Sequence, residues 1–237
     1  MVAQAMMLPV HLKNGDVFLS CRLFLPRRSN GLGVAYSHGW GGAHVLDDLH
    51  AALAGWGFTV ASIEQRGYGA STGKARLSAW PADLGAAATW LQQRGLRVWA
   101  AGLSTGGTMA LVTAARRADL LGALAISPFA TLRRIREDYP PCREVLSQRF
   151  GRFGPEDFAM ADALRWAPRI APRRAIVVHC AGDDTVPFAH AEAIRDVGRG
   201  KIELWRIEHG DHRLETVNRA PLFTRIRRVL SSERGDL

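Results

Sequence analysis

At 237 residues with 47% hydrophobic content, the chain is long enough to bury a complete core and is expected to form a single domain over 1–237. Its formal charge of +9 comes from 28 arginines and three lysines, scattered except for modest bunching at 133–136 and 225–228. No helix-turn-helix, zinc-finger or RNA-binding signature accompanies them, so the reading is a solvated basic surface with no nucleic-acid partner. No run reaches the roughly 18 apolar residues of a membrane span, which predicts no membrane partner. The first ten residues lack the charged and apolar segments of a secretory signal, and Cys21, Cys142 and Cys180 fit no metal spacing. These features predict a cytoplasmic protein with reduced thiols.

Asn14-Gly15, set between two extended runs, marks a hairpin. After it Val17, Leu19, Cys21, Leu23 and Leu25 alternate in the manner of a strand with one buried face. From residue 33 onward, GVAYSHG, TVASIEQ, VWAAGLS, LGALAISP and AIVVHCAG are short apolar runs without clean alternation, the pattern of strands buried on both faces. KIELWRIEH (201–209) is more polar and is placed nearer the sheet edge. Helical segments separate these runs at 44–57, 81–95, 105–118, 188–198 and 217–232. The segment 81–95 opens on proline and closes on glycine, each in its favoured place. Such alternation predicts an α/β fold: a mostly parallel central sheet behind an antiparallel N-terminal hairpin, with helices on both faces. Residues 131–170, rich in arginine, proline and aromatics, read as a short helical cap insertion.

Gly102-Leu103-Ser104-Thr105-Gly106 fits the pattern G-x-S-x-G on a strand-turn-helix. The turn is so tight that side chains two residues from the serine would collide, hence the two glycines. The helix starting behind Ser104 presents its positive end to developing negative charge. With this motif, with SHGWGG (37–42) and with EQRGYGAS (64–71), the sequence resembles the α/β-hydrolases over residues 10–230. It is nearest to compact bacterial esterases and to the catalytic domains related to dienelactone hydrolases and prolyl-oligopeptidase-type enzymes. Ser104, where dienelactone hydrolases proper carry cysteine, argues against that activity. The resemblance implies that His38 is structural and that the Trp40 N–H points into the site. Glu64 stands where the family usually has aspartate, at a position that is not catalytic.

A serine nucleophile needs a base, and the base a carboxylate; in this family the chain order is Ser, acid, His. Of the histidines after residue 183, His190 lies in a helix directly after the acid and His209 ends a strand, while His212 lies in a loop before the last helix and is the favoured base. In HCAGDDTVP the family pattern selects Asp183 as the acid, leaving Asp184 to cap backbone N–H groups in the turn. A metal site is disfavoured, because His179 and Cys180 point to opposite faces of a strand. The expected active site is therefore Ser104, His212 and Asp183, with the Thr105 and Trp40 N–H groups as oxyanion hole. Trp40, Tyr68, Phe129 and Trp166 are expected to bind substrate, with Tyr139 and Phe153 as further candidates in the insertion. The substrate is expected to be a small-molecule ester, with no metal or organic cofactor. Acyl transfer to another acceptor, peptide or amide hydrolysis, and a non-catalytic ligand-binding role are the alternatives. Oligomeric state is not legible.

Overall fold

In the computed structural model, residues 6–42 and 44–232 are described. Strands β1 (Met6–Asn14) and β2 (Val17–Leu25) pair antiparallel with Asn14 opposite Val17, so the two-residue turn is Gly15-Asp16, with Gly15 at φ 58°. Asn14, expected in the turn, ends the strand instead, and its side chain donates to Asp83 at 2.8 Å. Leu19, Cys21 and Leu23 are buried, as the alternation predicts.

The remaining strands are β3 (Leu32–Ser37), β4 (Thr59–Ile63), β5 (Arg97–Leu103), β6 (Gly122–Ile126), β7 (Arg174–Cys180) and β8 (Ile202–Ile207). The eight strands form one sheet in the order β1-β2-β4-β3-β5-β6-β7-β8, parallel from β4 to β8 and antiparallel at β1-β2-β4. Strands β3, β4 and β6 are buried throughout, which explains their unbroken apolar sequences. The more polar β8 forms one edge of the sheet and β1 the other.

Helices α1 (Asp47–Gly55), α2 (Trp80–Gln92) and α3 (Thr105–Arg116) follow β3, β4 and β5. Between β6 and β7 lie α4 (Leu132–Asp138), α5 (Pro141–Phe150), α6 (Pro155–Met160) and α7 (Ala163–Trp166), all within the expected 131–170 insertion. Helices α8 (Ala189–Val197) and α9 (Arg219–Ser231) complete the chain. Leu84 and Leu91 of α2, Leu111 of α3 and Ile194 of α8 fill the core on one face of the sheet. Leu49 and Leu53 of α1, with Phe223, Ile226 and Leu230 of α9, fill the other. A third cluster joins Tyr68, Trp80 and Phe129 to Leu132, Ile135 and Leu146, seating the insertion over the C-terminal ends of the strands.

Among the described residues no helix is long and apolar enough to cross a membrane. Asp83 of α2, fully buried, takes N–H groups from Arg66 at 2.6 and 2.8 Å as well as from Asn14. One carboxylate thereby ties the hairpin, the 64–71 loop and α2 together, satisfying a charge that would otherwise be prohibitive to bury.

Candidate active site

Ser104 joins β5 to α3 at φ 57° and ψ −121°, a conformation that costs a non-glycine residue about 1–3 kcal/mol. The surroundings enforce it. A Cβ at Gly102 would run into the Gly106 backbone, and one at Gly106 into the Ser37 and His38 carbonyl oxygens. The Ser104 N–H is held by Ile126 O at 2.8 Å. The turn thus carries a strained, inward-facing hydroxyl in front of the first turn of α3, with two glycines because backbone occupies the space of their side chains.

The Ser104 side chain lines a small cavity of about 40 Å³ together with Trp40, His212 and Arg213. His212 stands in the loop after β8, and its Nδ1 lies 2.8 Å from Asp183 Oδ2. The loop is folded on itself by Asp211 and Thr216, whose N–H groups and side chains bond each other at 3.1 and 3.3 Å. It is also clipped from α9: Arg219 donates to the Leu214 and Arg213 carbonyls at 2.8 and 3.1 Å, to Val45 O ahead of α1, and to Asp48 Oδ2 in the first turn of α1.

Asp183 follows β7 and is buried. Its Oδ1 accepts the Thr185 and Val186 N–H groups at 3.0 and 2.8 Å, while Oδ2 faces both His212 and His179 Nε2, the latter at 3.2 Å. Burial works to raise its pKa, but the hydrogen bonds from His179 and His212, the charge on His212 and the Val186 N–H outweigh it and hold the carboxyl well below the usual carboxylate range. Asp184 is exposed and, among the described residues, hydrogen-bonds only with the Thr185 hydroxyl, at 3.1 Å. The backbone capping expected of Asp184 is done by Asp183 Oδ1, because Asp183 is the residue turned back over the loop.

His38 is buried with both ring nitrogens engaged: Nδ1 donates to Gly39 O at 2.5 Å and Nε2 accepts the Gln65 N–H at 3.0 Å. Burial pushes its pKa down to about 4. Gly39 O also accepts the Gly42 N–H at 3.1 Å, so the Gly39-Trp40 peptide is fixed by two donors. A trans peptide aims its N–H opposite its carbonyl. Gly39 packs so closely that an added Cβ would lie 3.2 Å from Ser104 Cβ. The next peptide is held too, by the Tyr68 hydroxyl donating to Trp40 O at 2.9 Å.

Of the four aromatics expected to touch substrate, only Trp40 lines this cavity. Tyr68 is buried between His38, Trp80 and Phe150 and supports the Trp40 loop from behind. Phe129 is buried in the cluster beneath the insertion, its N–H and carbonyl bonded to the Thr108 hydroxyl. Trp166 is drawn away by Arg116, Arg165 and Arg169, which stack on its ring, and by a bond to Ala159 O. Tyr139 and Phe153 are partly buried against the same cluster as Phe129. His190 is a core histidine, its Nδ1 accepting the Ala130 N–H at 2.9 Å, and His209 is exposed. Glu64 accepts the Ala70 N–H at 2.9 Å beneath Gly69, where any side chain would strike its carboxylate. Sequence reasoning weighed His179 only as a metal ligand, not as a partner of Asp183, and missed Arg219. The four-residue step from His179 to Asp183 was the only available signal for the first, and nothing local marked the second.

A family model described as "Serine aminopeptidase, S33" matches residues 33–159, which include Ser104 but stop short of Asp183 and His212. No curated protein matches the sequence. Among solved structures, the α/β hydrolase GrgF from Penicillium sp. sh18 superposes with a TM-score of 0.79 at 17% identity, covering 96% of this chain and 98% of its own. The Pyrococcus furiosus esterase Pf2001 gives 0.78 at 17% identity, covering 98% and 94%. Porphyromonas gingivalis dipeptidyl peptidase 4 gives 0.76 at 22% identity, covering 97% of this chain but 36% of that one. At such identities the likeness is one of fold, and it extends over nearly the whole chain. With more than half of its length matched by the family, the chain belongs to the serine aminopeptidase S33 family of the α/β-hydrolase superfamily.

Proposed function

We propose that the protein is a serine hydrolase that cleaves carboxylic esters, thioesters included, of small to medium size through an acyl-enzyme on Ser104. The observation that carries this reading is the 2.8 Å bond between His212 Nδ1 and Asp183, made by an imidazole that shares one small cavity with the strained Ser104. Asp183 fixes the proton on Nδ1, leaving Nε2 as the base. The Ser104 Oγ attacks the ester carbonyl carbon and gives its proton to His212 Nε2. The bond to the leaving alcohol then breaks as that proton passes to the departing oxygen. Water repeats the sequence, giving a proton to His212 and its oxygen to the acyl carbon, and the carboxylic acid leaves as Ser104 recovers its proton.

The Thr105 and Trp40 N–H groups serve as the oxyanion hole. The two donors on Gly39 O support this role for Trp40, because a peptide held from its carbonyl side needs no reorganisation when charge develops. One such donor is typically worth about 3 kcal/mol in the transition state. The short insertion supports small to medium substrates, since it has no bulk to form a large lid. A cytoplasmic location belongs to the same proposal, supported by three buried, unpaired cysteines.

Amide or peptide hydrolysis is the second reading, favoured by the description of the matched family. The same residues serve it, with an amine as leaving group. Labelling with a fluorophosphonate probe, followed by 4-nitrophenyl esters of increasing acyl length and an aminoacyl 4-nitroanilide, tests both. Ester turnover with labelling lost in Ser104→Ala is expected. An unlabelled wild type, or equal labelling of Ser104→Ala, removes the serine-hydrolase reading, and turnover of the anilide alone transfers it to the peptidases. Adding an alcohol or amine acceptor separates hydrolysis from acyl transfer.

A further inference from the structure

Beside the Ser104 cavity lies a larger one, of about 620 Å³, which meets it at Trp40 and Gly41, residues that line both. The charged side chains lining these two adjacent cavities are of one sign: Lys74 and Arg149 line the larger, Arg213 lines the smaller beside His212, and no carboxylate lines either. Neither Lys74 nor Arg149 enters an ion pair among the described residues. Of the nearby acids, Glu64 is engaged by the Ala70 N–H and His44 beneath the 64–71 loop, Glu144 accepts an N–H of the lining residue Gln148 at 3.0 Å, and Glu215 stands 4.0 Å from Arg213.

Arg149 is held in place. Its guanidinium lies over the Tyr68 ring, 4.4 Å from the centroid, and one nitrogen is 3.5 Å from Gly67 O. Stacking leaves the edge of the guanidinium open to a planar anion, which it binds in a two-pronged fashion that a lysine does not reproduce. Tyr68 also bonds Trp40 O, so one ring links the guanidinium to the loop beside Ser104. The rest of the wall is apolar or neutral, with Trp40, Val145 and Phe150. A wall of this kind suits a hydrocarbon chain that ends in a charge.

We propose that this second cavity is a substrate subsite for a carboxylate, so that the preferred esters carry a free carboxylate on a chain reaching from the scissile bond to Arg149 and Lys74. The inference rests on the ester-hydrolase reading above. It assigns Arg149 and Lys74 to specificity, apart from the chemistry at Ser104.

The test compares mono-4-nitrophenyl esters of dicarboxylic acids, from succinate to suberate, with neutral 4-nitrophenyl esters of matched chain length. At one or more lengths the carboxylate ester should show a kcat/KM about tenfold above its neutral counterpart, and the advantage should shrink with added salt. Arg149→Ala and Lys74→Ala should erase it through KM, Arg149→Lys should restore part of it, and Arg149→Glu should invert it. Neutral esters equal or better at every length, or a preference that survives Arg149→Ala/Lys74→Ala, would overturn the subsite. Failure of the underlying reading looks different: neither ester series is turned over and the fluorophosphonate does not label Ser104, which removes both proposals together.

Discussion

His179 Nε2 lies 3.2 Å from Oδ2 of Asp183, the same oxygen that His212 Nδ1 meets at 2.8 Å. The second neighbour of His179 Nε2 is Val186 O, at 2.7 Å. Both partners are acceptors, so the His179 proton sits on Nε2 and is shared between them, while Nδ1 is buried without a partner among the described residues. Asp183 is therefore clasped by two backbone N–H groups and two imidazoles. In the proposed mechanism His179 is a positioning residue that holds Asp183 for His212.

Replacing His179 by leucine removes the donor, and should lower kcat about 10- to 100-fold as Asp183 loses its place. Glutamine at 179 presents an N–H at a similar reach and should recover much of that loss. Stability carries a separate signature. The Asp183 carboxyl titrates below its ordinary value of 3.8 in the folded protein, so it stabilises the fold at neutral pH and loses that contribution as pH falls below about 4. With His179→Leu the depression is smaller, and acid unfolding should begin at higher pH than in His179→Gln. Denaturant titrations between pH 3 and 7 measure this. Identical pH dependence in the two variants would show that only packing had been disturbed.

The two adjacent aspartates should respond very differently to the same substitution. Asp183→Asn places an amide where His212 requires an acceptor and should reduce turnover by about 10⁴-fold. Asp184→Asn alters an exposed side chain that meets one hydroxyl, and should leave turnover and stability within about 0.5 kcal/mol of wild type. Comparable losses in both would reverse the assignment of the acid.

Three buried histidines, His38, His50 and His190, have their pKa values lowered by burial and give the fold a mildly acidic weakness. Burial pushes His38 and His190 down to about 4, against an ordinary value of 6.5. Between these values the unfolded chain binds protons that the folded chain does not, so stability is full above pH 6.5 and declines as pH falls toward 4. The melting temperature should drop across that window. In His190→Asn, whose amide oxygen can take over the Ala130 N–H, the decline should be shallower. An unchanged slope in that variant would mean that His190 does not contribute.

Glycines of the same chain should divide sharply by place. Gly106→Ala sets a methyl against two backbone carbonyls and should abolish activity with a large loss of folded protein. Gly85, in the middle of α2, has only the Arg117 side chain within reach of an added Cβ, at 3.7 Å. Gly85→Ala should therefore stabilise by about 0.5–1 kcal/mol in thermal or denaturant unfolding.

Much of this was legible because it rests on short-range rules. Strands buried on both faces need unbroken apolar runs, and a strand-turn-helix elbow needs glycine where backbone crowds it, so β3 to β7 and Ser104 could be read directly. Asp183 and His212 were reached as candidates through the family resemblance, the first by its spacing to Val186-Pro187 and the second by its loop before the last helix. What stayed hidden depends on which way a side chain turns. Tyr68, Phe129 and Trp166 lie near the expected loops in sequence, but packing under the insertion claims the first two and a stack of arginines claims the third. Lys74 and Arg149 are far apart in the chain and share a cavity only because α5 folds back over the 64–75 segment.

Arg219 gives the site a property that none of its reacting groups could provide. Its guanidinium grips the loop bearing His212 at two carbonyls and the segment leading from the Trp40 loop into α1 at a carbonyl and a carboxylate. His212 and Trp40 come from distant parts of the chain, yet one guanidinium plane bonds the segments that carry both. The span between those segments is thereby tied to the dimensions of a single side chain as well as to the long polypeptide that connects them.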